Sequence, residues 1–302
     1  MQAVTSNPYE EFLRVGKAKA PRTLQNYEEA IRLYMRDMAL PNYEALTNAH
    51  HIAIEDTMKA YFAKVSRPRA DVCMKALRLF YQANRMAAVI EWDHVRHFKP
   101  VRPDVAPDDR PYTKDEIKTL AIAAPNARVK LAIMTMASGG LRVGALPGLT
   151  IKDLTWIESQ KLFAVMVYAG TKGQYITFLT PQTSAWMAKV VRGKPANKPV
   201  FYNIFVPDLP ATKSAHVVSI WRVVKRVGLW ANPSMEGRAE AHLDHGFRKA
   251  FRTALDAGKL REDMAERLTG HGKKLVKTYS RPDAEQWLQD SGYLATVPHL
   301  TF

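Results

Sequence analysis

Residues 243–255 read LDHGFRKAFRTAL, and this stretch decides how the rest of the chain is read. Phe247, Phe251 and Leu255 recur at helical spacing, which predicts an α-helix with one core-facing stripe. His245 and Arg248 are three apart and share another face, and Arg252 continues that polar row. A helix that buries phenylalanines on one side can hold a histidine and an arginine at a fixed separation on the other.

Three further stretches carry residues of the same chemical kind. Downstream, LTGHGKKLVKTYSRP (268–282) places His271 after Gly270, behind a helix carrying Met264 and Leu268, and brings Tyr279 eight residues later in a basic run. Upstream, SGGLRVGALPGLTIKDL (138–154) puts Arg142 on a turn after a glycine pair that ends a helix over 126–137. Between them, AGTKGQYITFLTP (169–181) places Lys172 at the tip of a predicted hairpin. Its flanking runs, Leu162–Tyr168 and Tyr175–Leu179, sit within 149–180, which reads as a β-hairpin or small meander. Helices return after Gln182; Val217, Ile220, Trp221 and Val224 mark one that stops near Gly228.

The second domain opens with Thr113-Lys114-Asp115-Glu116, a capping-box pattern. Before it, KPVRPDVAPDDRP (99–111) holds four prolines and no apolar period, so it reads as a stiff linker. The first 98 residues predict helices over 22–40 (Leu24, Tyr27, Ile31, Tyr34, Met38), near 52–65 and from about 69 to 90. The last carries an apolar stripe of Cys73, Ala76, Leu77, Phe80, Ala83 and Ala87. Its polar row of Lys75, Arg78, Gln82 and Arg85 is either a solvated surface or a face that meets DNA phosphates. The expected fold is mainly α with a small antiparallel β-sheet: a helical domain over 1–98, the linker 99–111, and a mixed α/β domain over 112–302.

Composition narrows the function. The formal net charge is +15 over 302 residues. Such an excess of Lys and Arg repels itself in a compact fold and points to a polyanionic partner, with nucleic acid foremost. Cys73 is the only cysteine, so neither an internal disulfide nor a thiolate-rich metal site is expected, and a reducing compartment fits. The start of the chain has Glu10 and Glu11 and no apolar run, unlike a signal peptide, and no stretch approaches a membrane span. No P-loop and no convincing metal cluster appears; His50 and His51 read as surface residues. No metal, no cofactor, no membrane partner and a cytoplasmic setting are the expectations.

Taken singly, each Arg, His or Tyr here has a bland reading as a surface charge or packing residue, as Tyr293 does. Their order does not: Arg142, hairpin Lys172, His245-x-x-Arg248, Gly270-His271 and Tyr279 together resemble the signature of the tyrosine recombinase (phage integrase-like) family. Thr23, Tyr27, Ile31 and Tyr34 also resemble the family's core-binding domain, so the likeness runs from about residue 7 to 290. Three details differ from the common pattern. Ala145 stands where an acidic residue often follows the first arginine by three. The box that commonly reads His-acidic-Leu-Arg-His appears as His245-Gly246-Phe247-Arg248-Lys249. The His-to-Tyr interval is one residue shorter. These departures point to a divergent branch, archaeal or mobile-element. The family's separate arm-binding domain is expected to be absent, for want of room before residue 7.

The resemblance implies a site-specific recombinase or integrase, metal- and ATP-independent. It would cut and rejoin double-stranded DNA through a 3′-phosphotyrosyl intermediate and act as a dimer or tetramer on its site. A phosphodiester repels nucleophiles and expels a poor leaving group. Arg142 and Arg248 would grip the non-bridging oxygens with planar donor forks, and His271 would add a hydrogen bond. Tyr279 is the expected nucleophile, His245 its general base, and Lys172 the acid that protonates the leaving 5′ oxygen. Lys75, Arg78, Arg85 and Arg252 are the expected DNA contacts. Two alternatives stay open: a type IB topoisomerase-like nicking and resealing enzyme, and a catalytically silent DNA-binding protein on the same fold. The segment 281–302, with Trp287, Leu288, Tyr293 and Leu294, either folds onto its own domain or docks on a neighbouring protomer.

Overall fold

The structure, a computed structural model, describes residues 7–101, 110–229, 241, 243, 245–271 and 283–302. The chain divides into two compact units, Met1–Pro107 and Asp108–Phe302. The expected linker 99–111 falls for the most part on residues 102–109, which lie outside those described.

The first unit is helical: α1 (Pro8–Gly16), α2 (Pro21–Asp37), α3 (Glu44–Asn48), α4 (His51–Lys64), α5 (Arg67–Ala83) and α6 (Trp92–His97). Its core gathers Phe12, Ile31, Tyr34, Met58, Tyr61, Phe62, Leu77, Phe80 and Tyr81. Cys73, Ala76, Leu77 and Phe80 are buried as the apolar stripe predicts, but α5 stops at Ala83 rather than near 90. Asn84 turns its amide back to the Phe80 carbonyl (2.9 Å) and across to the Pro8 carbonyl (3.1 Å). Arg85 then takes a left-handed φ of 57°. The amides of Arg85 and Met86 close on the carbonyls of Gln82 and Tyr81, a Schellman ending. The usual glycine signal is missing, so the sequence pattern runs past the true end.

The second unit begins with α7 (Lys114–Ala123) and α8 (Ala127–Gly139). The capping box of Thr113 and Glu116 is present at the start of α7. Three antiparallel strands follow: β1 (Leu154–Ile157), β2 (Leu162–Val167) and β3 (Tyr175–Phe178), in the order β1-β2-β3. The sheet is therefore a meander; Val165 pairs with Leu154 on one side and Thr177 on the other. Helices α9 (Pro181–Val191), α10 (Lys213–Arg226), α11 (His245–Ala257), α12 (Glu262–Leu268), α13 (Ala284–Ser291) and α14 (Val297–Leu300) complete the unit. No helix among the described residues is long and apolar enough to cross a membrane.

Helix α8 is the hub. Every residue from Leu131 to Gly139 is buried, because α7, α9, α10 and α11 all pack on it. The C-terminal segment folds onto this same unit. Leu288, Tyr293 and Leu300 join Phe178, Phe251, Leu255 and Leu268 in one cluster, and the Tyr293 hydroxyl donates to the Ser138 carbonyl at 2.8 Å.

One buried histidine makes this unit acid-sensitive. His216 on α10 is 3% exposed and lies edge-on to Phe201. Burial, with Arg128 adding to it, holds its pKa down to about 4. An unfolded histidine titrates near 6.5, so between those values the unfolded chain binds the extra proton and stability falls with falling pH. The neutral side chain's contribution is whole above about pH 6.5, and about 3 kcal/mol of it is lost by pH 4. Urea unfolding at pH 7 and pH 4 should show that loss in the wild type and a smaller one in His216→Gln. Equal losses would show that His216 is not the titrating group.

Candidate active site

Two left-handed glycines set up the site. Helix α8 ends at Gly139 with Gly140 at φ 64°, and α12 runs out through Thr269 to Gly270 at φ 68°. A β-carbon on Gly140 would lie 2.2 Å from the Phe251 ring, and one on Gly270 would lie 2.5 Å from the Tyr175 ring. Gly140→Ala is thus expected to destabilise by about 2–4 kcal/mol, combining a left-handed backbone penalty with overpacking. Urea titration of the variant measures it, and a loss below 1 kcal/mol would mean that the turn has room to relax.

The last carbonyls of a helix lack intrahelical donors. Here side chains from three distant segments supply them: Tyr293 to the Ser138 carbonyl (2.8 Å), Thr177 to Gly139 (2.9 Å) and Arg248 to Gly140 (2.6 Å). The chain leaves this clasped end directly into Leu141 and Arg142, and Arg142 precedes a short 3-10 helix, Val143–Gly148. Clasping by α11, β3 and the C-terminal segment is what fixes the backbone that carries Arg142.

Arg248 is 7% exposed. Besides Gly140, its guanidinium donates to the Thr269 carbonyl and to Nε2 of His271 at 3.1 Å. Three of its five N–H donors are thereby used. Burial, reinforced by Arg142, lowers its pKa, while Tyr175 opposes that shift. Tyr175 is buried under Gly270, and burial raises its phenol pKa against the opposing pull of Arg248 and Arg142.

Arg142, His245, Arg248, Lys249, Arg252, Glu266, Thr269 and His271 line one cleft of about 280 Å³. Five of these are Lys, Arg or titratable His side chains from α11 and the turn after α8, and Glu266 is the only carboxylate among them. Such a wall attracts an anion. Four of the six expected catalytic residues, Arg142, His245, Arg248 and His271, therefore meet. Lys172 does not line the cleft; it is exposed at the tip of the β2–β3 hairpin. That turn is closed by the amides of Thr171 and Gln174 on the carbonyls of Tyr168 and Thr171. Tyr279 lies outside the described residues. Among the described residues, no group of His, Cys, Asp and Glu is placed to hold a metal ion.

The expected DNA contacts separate. Lys75 and Arg78 are exposed on α5, with Arg78 stacked over Trp92. Arg85 sits beyond the end of that helix. Arg252 is committed to carboxylates: Asp256 (3.1 Å), Glu266 (3.0 Å) and Glu262. Glu266 and Lys249 also line the cleft and are not among the residues the sequence pattern singles out as catalytic. Glu266 looks like one more acid on a charged helix, and only the turn through Gly270 folds His271 back against it.

One of the sequence departures has a local cause. Gly246 passes so close to Tyr112 that a β-carbon there would lie 2.7 Å from its ring. Tyr112 also stacks on Phe247 at 4.7 Å and donates its amide to the Gly246 carbonyl.

A helical first unit followed by a second unit of helices around a three-stranded sheet defines the class: this is the tyrosine recombinase fold. The Tn1549 transposon integrase in complex with a circular intermediate DNA matches 94% of this chain and 94% of its own, with 14% identity and a TM-score of 0.62. A lambda integrase tetramer bound to a Holliday junction matches 92% of this chain and 81% of its own, with 15% identity and a TM-score of 0.61. Lambda integrase bound to DNA matches 91% of this chain and 95% of its own, with 16% identity and a TM-score of 0.61. No family model matches the sequence, and no curated protein matches it.

Proposed function

We propose that this chain is a site-specific DNA recombinase of the integrase type. The observation that supports it most is the cleft itself: two arginines from distant parts of the chain, one of them buried and clasped, converge with two histidines in a fold shared with DNA-bound integrases. A tetrahedral anion with charge developing on two non-bridging oxygens is the ligand such a wall suits.

In this reading His245 takes the phenolic proton of Tyr279. The tyrosyl oxygen attacks phosphorus, the bond to the 5′ oxygen breaks, and Lys172 protonates that leaving oxygen. The product is a 3′-phosphotyrosine and a free 5′-hydroxyl. A 5′-hydroxyl from a second duplex then attacks the same phosphorus and releases Tyr279, so the phosphodiester count is unchanged and no external energy source is needed. Lys172, exposed on its hairpin, would swing to the cleft when DNA is bound. Lys75 and Arg78 would contact phosphates, and two or four copies would assemble on paired sites, as the lambda integrase tetramer does on its junction.

The test is covalent capture. The protein is expressed in cells, denatured rapidly, and the DNA attached to it is sequenced. A recombinase yields 3′ ends at one recurring sequence. Adducts at random sites, with relaxation of any supercoiled plasmid, would mark a topoisomerase-like enzyme instead. No adduct on any DNA would leave only a silent DNA-binding protein.

Duplex binding should also weaken steeply with salt, because each neutralised phosphate releases counterions; contact with about six phosphates would cost roughly 10³-fold in affinity between 50 and 200 mM salt. Fluorescence anisotropy with a labelled duplex reads this, and a flat response would argue against a phosphate-gripping surface.

A further inference from the structure

We propose that Glu266 is a positioning residue: it holds the His271 imidazole with Nδ1 toward its own carboxylate and Nε2 toward Arg248, so that a docking phosphate is met by a proton taken up at Nε2. This deepens the reading of the cleft as a phosphate seat and rests on it.

A line of polar contacts crosses the cleft. Arg252 meets Glu266 at 3.0 Å, the other Glu266 oxygen lies 3.5 Å from Nδ1 of His271, and Nε2 of His271 lies 3.1 Å from Arg248. A guanidinium can only donate, so Nε2 must present its lone pair and the proton of the neutral ring must sit on Nδ1, facing Glu266. The backbone enforces the arrangement, since the His271 amide donates to the Glu266 carbonyl at 2.9 Å. Helix α12 thus delivers both partners through a single tight turn.

This free-state arrangement is the wrong one for a phosphate. A lone pair at Nε2 repels an anionic oxygen, whereas an N–H there donates to it. Conversion takes one proton from solvent and leaves an imidazolium between Glu266 and the phosphate. The groups facing His271 pull in opposite directions. Arg248 from α11 and Arg142 from the turn after α8 disfavour a further positive charge, and Lys249 and Arg252 of α11 line the same cleft. His245 on α11 and the buried Tyr175 of β3 are the other titratable groups nearby. Among the described residues, Glu266 is the only carboxylate that lines the cleft. In the free protein the first set prevails: burial, then Arg248, holds the His271 pKa below its ordinary value against the raising effect of Glu266. A bound anion at Nε2 shifts that balance toward the imidazolium, and the Glu266 charge acts in the same direction.

Nuclear magnetic resonance on the full chain labelled with ¹⁵N-histidine tests this without any cleavable DNA. His271 is assigned by the peak lost in His271→Asn, and sulfate is the probe, with chloride at matched ionic strength as control. In the wild type the free protein should show the Nδ1–H tautomer. Sulfate should raise the proton affinity of His271 about tenfold. In Glu266→Gln the Nδ1–H tautomer, fixed by Arg248, should persist, while the sulfate response should fall below about threefold because the carboxylate charge behind the ring is gone. Arg252 keeps Asp256 and Glu262 in that variant, which guards the fold. An Nε2–H tautomer in the free wild type would overturn the proposal, as would a Glu266→Gln chain that keeps the full sulfate response. Failure to form a DNA adduct would sink the recombinase reading and leave this tautomer result standing, so the two failures are distinct.

Discussion

Tyr279→Phe should form no covalent DNA adduct while binding duplex DNA with unchanged affinity. The substitution removes one oxygen and keeps the ring, so contacts that hold DNA are spared. The loss of the attacking atom should cost about 10⁴-fold or more in cleavage, as removing other nucleophiles does. Buried tyrosines of the second unit provide the contrast. Tyr175 and Tyr293 sit in places where burial raises the phenol pKa, and a buried phenol that resists ionisation is a poor nucleophile. Tyr293 also spends its hydroxyl on the Ser138 carbonyl. Tyr293→Phe should therefore cost about 1 kcal/mol of stability and keep adduct formation. Cleavage that persists in Tyr279→Phe and vanishes in Tyr293→Phe would move the chemistry to the wrong end of this argument and end the assignment.

What could be read from the sequence follows from how local each feature is. The stripe of Phe247, Phe251 and Leu255 identifies α11 because a 3.6-residue period needs no partner to be seen. The glycine pair at 139–140 marks the end of α8 for the same reason, and the apolar runs around Lys172 mark β2 and β3. Elsewhere the signal is tertiary. Strand β1 is four residues long and shows one buried side chain, too little for a period-two pattern. The end of α5 turns on an arginine in a left-handed conformation, held by an asparagine that reaches back to Pro8. The site divides along the same line. Arg142, His245, Arg248 and His271 stand out by their spacing and order, and they do line one cleft. Asp256 meets Arg252 at the i,i+4 spacing of one helix, but Glu262 and Glu266 reach it only through the packing of α11 against α12, which no spacing rule encodes.

Arg248 and Arg142 should fail in different ways when replaced, and the difference separates a clasp from a grip. Arg248→Ala removes the donors of two buried carbonyls, Gly140 and Thr269. Each orphaned acceptor costs about 1–3 kcal/mol, so the second unit should lose roughly 2–5 kcal/mol of unfolding free energy. The cleft also loses its most enclosed cation, which should lower adduct formation about 10²–10³-fold beyond any loss of folded protein. Arg142 makes no side-chain hydrogen bond or ion pair among the described residues, so Arg142→Ala should leave stability within about 0.5 kcal/mol. Its loss of adduct formation should nonetheless be of the same order as that of Arg248→Ala. Urea titration and adduct yield per folded molecule, measured side by side, resolve the pair. If Arg142→Ala cuts as well as the wild type, or if Arg248→Ala loses only stability, the phosphate is not held by these two guanidinium groups.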